Sequence, residues 1–288
     1  MNSENAIKAE GVEERRDGVS ETQTEDIRPR ALIEAHERLD RIYSEILFLG
    51  LERHIVELEL YGYTVIPDVK PVGFFDDLRK TILQLGAEDA ASGSTWSLAG
   101  PDGGSYLVPW LLGEKCQISS NHGHVRVEGD PPQGLHNDAP MVPDPVPDHA
   151  LICNVMWVID EFTSESDATL VVPGSHKQRG HPNPGAHKTI VPLEAPKGSV
   201  IVCSGNLIHG AGARIIPGER VGMTIYFKRM YVQPQEDLNA VISDEVVARN
   251  PPRFAHLIGR DNPYPAKDFG FFNAKGMKYV ARTVDSRG

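Results

Sequence analysis

Between Trp96 and Pro234 the chain breaks into short apolar runs, each punctuated by Gly, Pro, Asn or Asp. The runs are Tyr106–Leu112, Cys116–Ser119, His124–Val127 and Leu151–Ile159, then Thr169–Val172, Ile190–Leu193, Ser199–Cys203 and Val221–Phe227. None is long enough for an ordinary helix, and several are rich in β-branched residues. Short strands at this density predict a closed or two-layered β architecture, a barrel or jelly roll.

The flanks read differently. From about Pro29 to Leu60, Leu32, Leu39, Ile42, Ile46, Leu49, Ile55 and Leu58 recur near helical spacing with charges between them, which predicts one long helix or two broken near Gly50. Tyr61–Pro67 reads as a strand, and Val72–Leu85 as a second amphipathic helix carrying Phe74, Phe75, Leu78 and Ile82. After the β region, Glu236–Arg249 reads as helical, Arg253–Gly259 adds a turn, and the segment beyond Asn262 is irregular. Residues 1–28 have too little apolar surface to offset the entropy of ordering and read as a mobile tail. The expectation is one domain over 29–288: a helical edge to about residue 90, a jelly-roll core over about 96–234, and helices and a tail from 235. The fold class is mainly β with flanking helices.

Composition excludes several function classes. No stretch reaches the ~18 consecutive apolar residues of a membrane span, and the acidic, polar N-terminus lacks a secretory pattern. The expectation is a cytoplasmic protein without membrane partners. Cys116, Cys153 and Cys203 are too few and too scattered for a disulfide framework or a zinc site, which leaves buried free thiols. A formal charge of −11, with no basic stripe, argues against nucleic acid. It does not exclude an anionic small molecule, because cations inside a cleft set the local field.

The chemistry concentrates in Gln133-Gly-Leu-His136-Asn-Asp138, in His209 of Asn-Leu-Ile-His-Gly-Ala-Gly, and in Arg220 eleven residues later. On an extended chain, positions i and i+2 project to one face, so His136 and Asp138 can converge on one point. His209, at the end of another predicted strand, supplies a third ligand. Two imidazoles and one carboxylate leave adjacent positions of a divalent ion open, as an iron(II) oxygenase requires to take a bidentate oxoacid and then dioxygen. The far carboxylate of that co-substrate needs a bidentate cation, for which Arg220 is preferred over Arg214 because a strand follows it.

With these residues in place, the sequence resembles the phytanoyl-CoA dioxygenase family of iron(II)/2-oxoglutarate-dependent oxygenases. The family's His-x-Asp pair, Pro-Gly-Ser/Thr-His hairpin and His-Gly with a following arginine are matched by His136-Asn-Asp138, Pro173-Gly-Ser-His176 and His209-Gly…Arg220, over roughly Tyr61 to Glu236. The resemblance implies a double-stranded β-helix of the jelly-roll, cupin-like kind. It implies iron(II) held by His136, Asp138 and His209, with 2-oxoglutarate and O2 as co-substrates. It also implies that Arg220 binds 2-oxoglutarate, that Trp157 lies beside it, and that Gln133 lines the site. Many relatives read Asn-Gly before the hairpin where this chain has Ser166-Asp167, a departure expected to weaken the turn without touching a metal ligand. Related halogenases lack the carboxylate that Asp138 provides, so its presence favours oxygen transfer.

The implied activity is hydroxylation, or another oxidation, of an unactivated C–H bond of a small organic metabolite, with release of succinate and CO2. Two rivals use the same fold: a cupin-like metal-dependent isomerase or hydrolase, and a non-catalytic binding domain. His176 is expected to make structural hydrogen bonds in the hairpin, and His181 and His187 to sit exposed in a Pro/Gly-rich loop. That loop and Pro140–Pro147 are expected to flank the barrel mouth, and the helix over 29–60 offers a surface for a homodimer.

Overall fold

The computed structural model describes residues 30–92, 107–183, 185 and 189–260. The expected tails, the start of the predicted core and His187 lie outside the described residues. From Arg38 onward the chain forms one compact unit.

The helical periodicity of the first segment resolves into α1 (Arg30–Phe48) and α2 (Glu52–Tyr61), parted at Gly50, whose φ of +67° a side-chain-bearing residue rarely adopts. After them come β1 (Tyr63–Ile66), α3 (Val72–Ser92) and α4 (Leu107–Leu112). The last corrects the expectation of a strand at 106–112: Leu-Val-Pro-Trp-Leu-Leu lacks period-2 alternation, and its Pro109 falls in the first helical turn, where a missing N–H costs nothing. The strands follow: β2 (Gln117–Val127), β3 (Ile152–Trp157), β4 (Thr169–Val171), β5 (Val191–Leu193), β6 (Val200–Ser204), β7 (His209–Ala211) and β8 (Glu219–Lys228). Short helices α5 (Leu238–Val241), α6 (Asp244–Ala248) and α7 (Pro252–Leu257) close the described chain.

Two antiparallel sheets result, one in the order β1-β6-β3-β8-β2 and the other β5-β4-β7. They make a double-stranded β-helix. Along β3, β6 and most of β8 the larger sheet is buried on both faces, with period-2 alternation sorting its side chains. Val155 and Trp157 of β3, Val200 and Val202 of β6, and Val221, Met223 and Ile225 of β8 face the helices, meeting Phe75, Leu78 and Ile82 of α3. Met156, Ile201 and Cys203 point the other way, toward Val171 and Leu193 of the smaller sheet. That sandwich between sheets forms the second core, and the remaining space at its β2–β8 side is a cavity. All three cysteines are free and buried.

Candidate metal centre

The extended segment 133–138 lies against β7 and prolongs the smaller sheet. His136 and His209 exchange backbone hydrogen bonds, each N–H to the other's carbonyl at 2.8 Å, and the Asp138 N–H reaches Gly205 O at 2.9 Å. Gly210 permits this approach, since a Cβ there would stand 2.9 Å from the Gln133 carbonyl. The backbone pairing brings the two imidazoles to 4.6 Å between ring centroids. Asp138, two residues on, turns its carboxylate to both: Oδ1 is 3.8 Å from His136 Nε2 and Oδ2 is 3.5 Å from His209 Nε2. All three ligand atoms lie within 4.8 Å of one another, and among the described residues this is the one such cluster of His, Cys and acidic groups.

The tautomers suit a cation. His136 Nδ1 lies 2.9 Å from the Gly134 carbonyl and His209 Nδ1 2.9 Å from the Leu207 carbonyl. A carbonyl only accepts, so both Nδ1 atoms carry the proton and both Nε2 lone pairs face the centre. Asp138 is oriented in turn by Asn154 of β3, whose Nδ2 donates to Oδ2, and by the Tyr226 hydroxyl from β8. Burial first, and then the Asp138 charge, push the Tyr226 phenol upward, which keeps it a donor. These residue types and this orientation fit a divalent metal held by two neutral imidazoles and one carboxylate.

His136 and His209 line one side of a cavity of about 430 Å³, a volume in the range of small-molecule sites. Alternate residues of β8 supply one wall: Arg220, Gly222, Thr224 and Tyr226. Gln133 lines the cavity, its Oε1 accepting from the Ala211 N–H at 3.3 Å. Arg220 also lines it, only 7 % exposed, with its guanidinium carbon 4.1 Å over the Phe162 ring. Arg214 turns away instead and donates to the Gly218 and Pro217 carbonyls.

Trp157 is elsewhere. It lies on the helix-facing side of β3, its ring 5.7 Å from Phe74 and 5.9 Å from Phe75, and is absent from the cavity wall. The placement beside a co-substrate is therefore corrected by one step of strand parity: Met156, its neighbour, faces the cavity. The departure at Ser166-Asp167 also matters more than expected, because the Asp167 carboxylate grips Arg220. His181 is only partly exposed and reaches Asn137 Oδ1 at 3.1 Å and the Val142 carbonyl at 2.7 Å, linking its loop to the metal-side segment.

Sequence reasoning missed Asn154, Tyr226, Arg126 and His124, all on the cavity wall. Parity held the signal. Tyr226 shares a face with Arg220 on β8, and Asn154 is the lone polar residue in the apolar run of β3. His124 opens onto the cavity, yet desolvation, with His122 and the two arginines behind it, pushes its pKa down to about 4.

Known proteins agree with this picture. Residues 116–221 match the family model for phytanoyl-CoA dioxygenase. Rv1501 of Mycobacterium tuberculosis, an uncharacterized protein, is 33 % identical over 126 residues, covering 43 % of this chain and 45 % of that protein. Dioxygenase af480 of Aspergillus fumigatus is 28 % identical over 184 residues, covering 62 % of this chain and 57 % of its own length. The chain thus spans about half the length of these relatives. Among solved structures, apo EctD from S. alaskensis superposes with a TM-score of 0.53 at 19 % identity, covering 70 % of this chain and 84 % of EctD. HygX from Streptomyces hygroscopicus with nickel, 2-oxoglutarate and hygromycin B gives 0.51 at 15 % identity, covering 67 % of this chain and 93 % of HygX. At these identities the superpositions speak for the fold. The segment that matches the phytanoyl-CoA dioxygenase model carries His136, Asp138, His209 and Arg220.

Proposed function

We propose that this protein is an iron(II)- and 2-oxoglutarate-dependent dioxygenase that oxidises a C–H bond of a small organic molecule, releasing succinate and CO2. The observation that carries the reading is the convergence of His136, Asp138 and His209 within 4.8 Å, with both imidazoles lining a cavity that Arg220 also lines. Fold neighbours add support, since HygX was crystallised with nickel and 2-oxoglutarate and EctD with iron.

His136, Asp138 and His209 would hold the iron. When bound together, iron(II), 2-oxoglutarate and dioxygen supply an oxidant able to take hydrogen from an unactivated C–H bond. The protein's own task is to bind, orient and exclude water. Asn154 and Tyr226 hold the Asp138 carboxylate in one orientation, while the backbone carbonyls of Gly134 and Leu207 hold the imidazoles. Arg220 takes the distal carboxylate of 2-oxoglutarate, with Gln133 beside it. Met156 and Phe162 contribute apolar wall, which strengthens every charged contact made inside.

The test is substrate-independent turnover of 2-oxoglutarate to succinate with oxygen uptake, measured on the iron-loaded protein. The expected result is slow uncoupled turnover in the wild type and none in His136→Ala or Asp138→Ala. Equal succinate formation in the wild type and both variants would refute the assignment.

A further inference from the structure

Arg126 of β2 and Arg220 of β8 are direct cross-strand partners. Like charges placed opposite each other destabilise a sheet unless a counter-charge intervenes. Asp167 is that counter-charge. Its carboxylate accepts from Arg220 Nε at 2.5 Å and Nη2 at 2.6 Å, and from Arg126 Nε at 2.9 Å. Its side chain is fully buried, and its backbone sits at φ +72°, in the left-handed region that an aspartate tolerates better than most residues but glycine prefers. The turn that carries it is pinned: Ser166 Oγ accepts from the Thr163 N–H at 2.8 Å and donates to the Glu161 carbonyl at 3.0 Å. Arg126 is anchored separately on the Pro131 carbonyl at 2.7 Å.

A guanidinium has more than one donor edge. Asp167 occupies the Nε/Nη2 edge of Arg220, which leaves Nη1 and the second Nη2 hydrogen for another anion. Nη1 is on the cavity side, where Gly222 makes room for it: a Cβ on that residue would stand 2.8 Å away. With Phe162 under its plane, Arg220 is thus fixed in both plane and rotation.

We propose that Asp167 is a positioning residue that aims Arg220 end-on at the distal carboxylate of the co-substrate, with Arg126 as its anchor. This rests on the reading of the cavity as a 2-oxoglutarate site. Fixing the guanidinium sets the span from the metal to the cation, and hence the dicarboxylate length that the site accepts. Removing the Asp167 charge frees positive charge but also frees the two arginines to swing apart, and the loss of aim outweighs the gain in field because a bidentate contact depends on orientation.

The experiment titrates 2-oxoglutarate and the one-carbon-longer 2-oxoadipate into the iron(II) protein without oxygen, for the wild type, Asp167→Asn and Arg126→Gln, with metal affinity measured in parallel. Asparagine keeps the shape and tolerates the left-handed backbone. Asp167→Asn should weaken 2-oxoglutarate binding about tenfold, narrow its advantage over 2-oxoadipate, and leave metal affinity unchanged. In turnover, KM for 2-oxoglutarate should rise far more than kcat falls. Arg126→Gln should act in the same direction by a smaller factor, and it decides the matter if Asp167→Asn does not fold. Unchanged or tighter 2-oxoglutarate binding in the variants, beside normal wild-type binding, would overturn the inference alone. Failure of the wild type to bind 2-oxoglutarate would overturn the reading of the cavity and this inference with it.

Discussion

The Asn154 amide reaches Asp138 from the middle of a buried strand, a costly place for a polar group unless it has a partner. Its replacement by leucine should lower divalent-metal affinity by about 10–100-fold, the usual effect of losing a group that orients a ligand; calorimetric titration with iron(II) under argon reads it, and unchanged affinity would contradict the role. His54 and His176 bear on stability instead. Burial is the largest cause lowering both pKa values from the ordinary 6.5. The unfolded chain then binds more protons than the folded one as pH falls below 6.5, so stability must decrease in that direction. Melting temperatures across pH 7.5 to 5 should fall, and less steeply in His176→Asn; a rise on acidification would contradict the assignment. At this scale the ligand set was legible, because His-x-Asp fixes two side chains on one face by chain geometry alone. Asp167 was not, since nothing in a turn sequence says that its carboxylate folds inward onto an arginine 53 residues away.

Among the elements, β3 separates structure from function by parity. Trp157 faces the helices and Asn154 and Met156 face the cavity, so substitutions on the two sides should have different consequences. Trp157→Ala removes a fully packed aromatic and should cost about 3–5 kcal/mol, whereas Trp157→Phe should cost less; neither should change the affinity of folded protein for 2-oxoglutarate. A selective loss of co-substrate binding in Trp157→Phe would place the ring where the sequence expected it. On β8, Gly222→Ala should act the other way, displacing the Arg220 Nη1 and weakening 2-oxoglutarate binding with little change in melting temperature. The strands themselves were visible as short apolar runs. Leu107–Leu112 misled because an apolar run of six has no period of its own until tertiary contacts choose one.

Over the molecule, a chain of net charge −11 presents two arginines to one cavity, balanced there by Asp138 and Asp167. A divalent ion would leave that cavity doubly positive, which matches a dianion such as 2-oxoglutarate. No helix among the described residues is long and apolar enough to cross a membrane. Because β8 of the larger sheet and β7 of the smaller both wall the cavity, metal and co-substrate together should stabilise the whole fold, by about 2.7 kcal/mol at a hundred times the dissociation constant. Thermal unfolding with and without both ligands measures this; no shift in the wild type would count against a shared site.

The most direct test of the three-ligand centre is visible absorption of the iron(II) protein mixed with 2-oxoglutarate in the absence of oxygen. A weak metal-to-ligand charge-transfer band should appear in the wild type and vanish in His209→Ala. A flat spectrum in the wild type, or a band that survives loss of the His209 imidazole, would contradict the account.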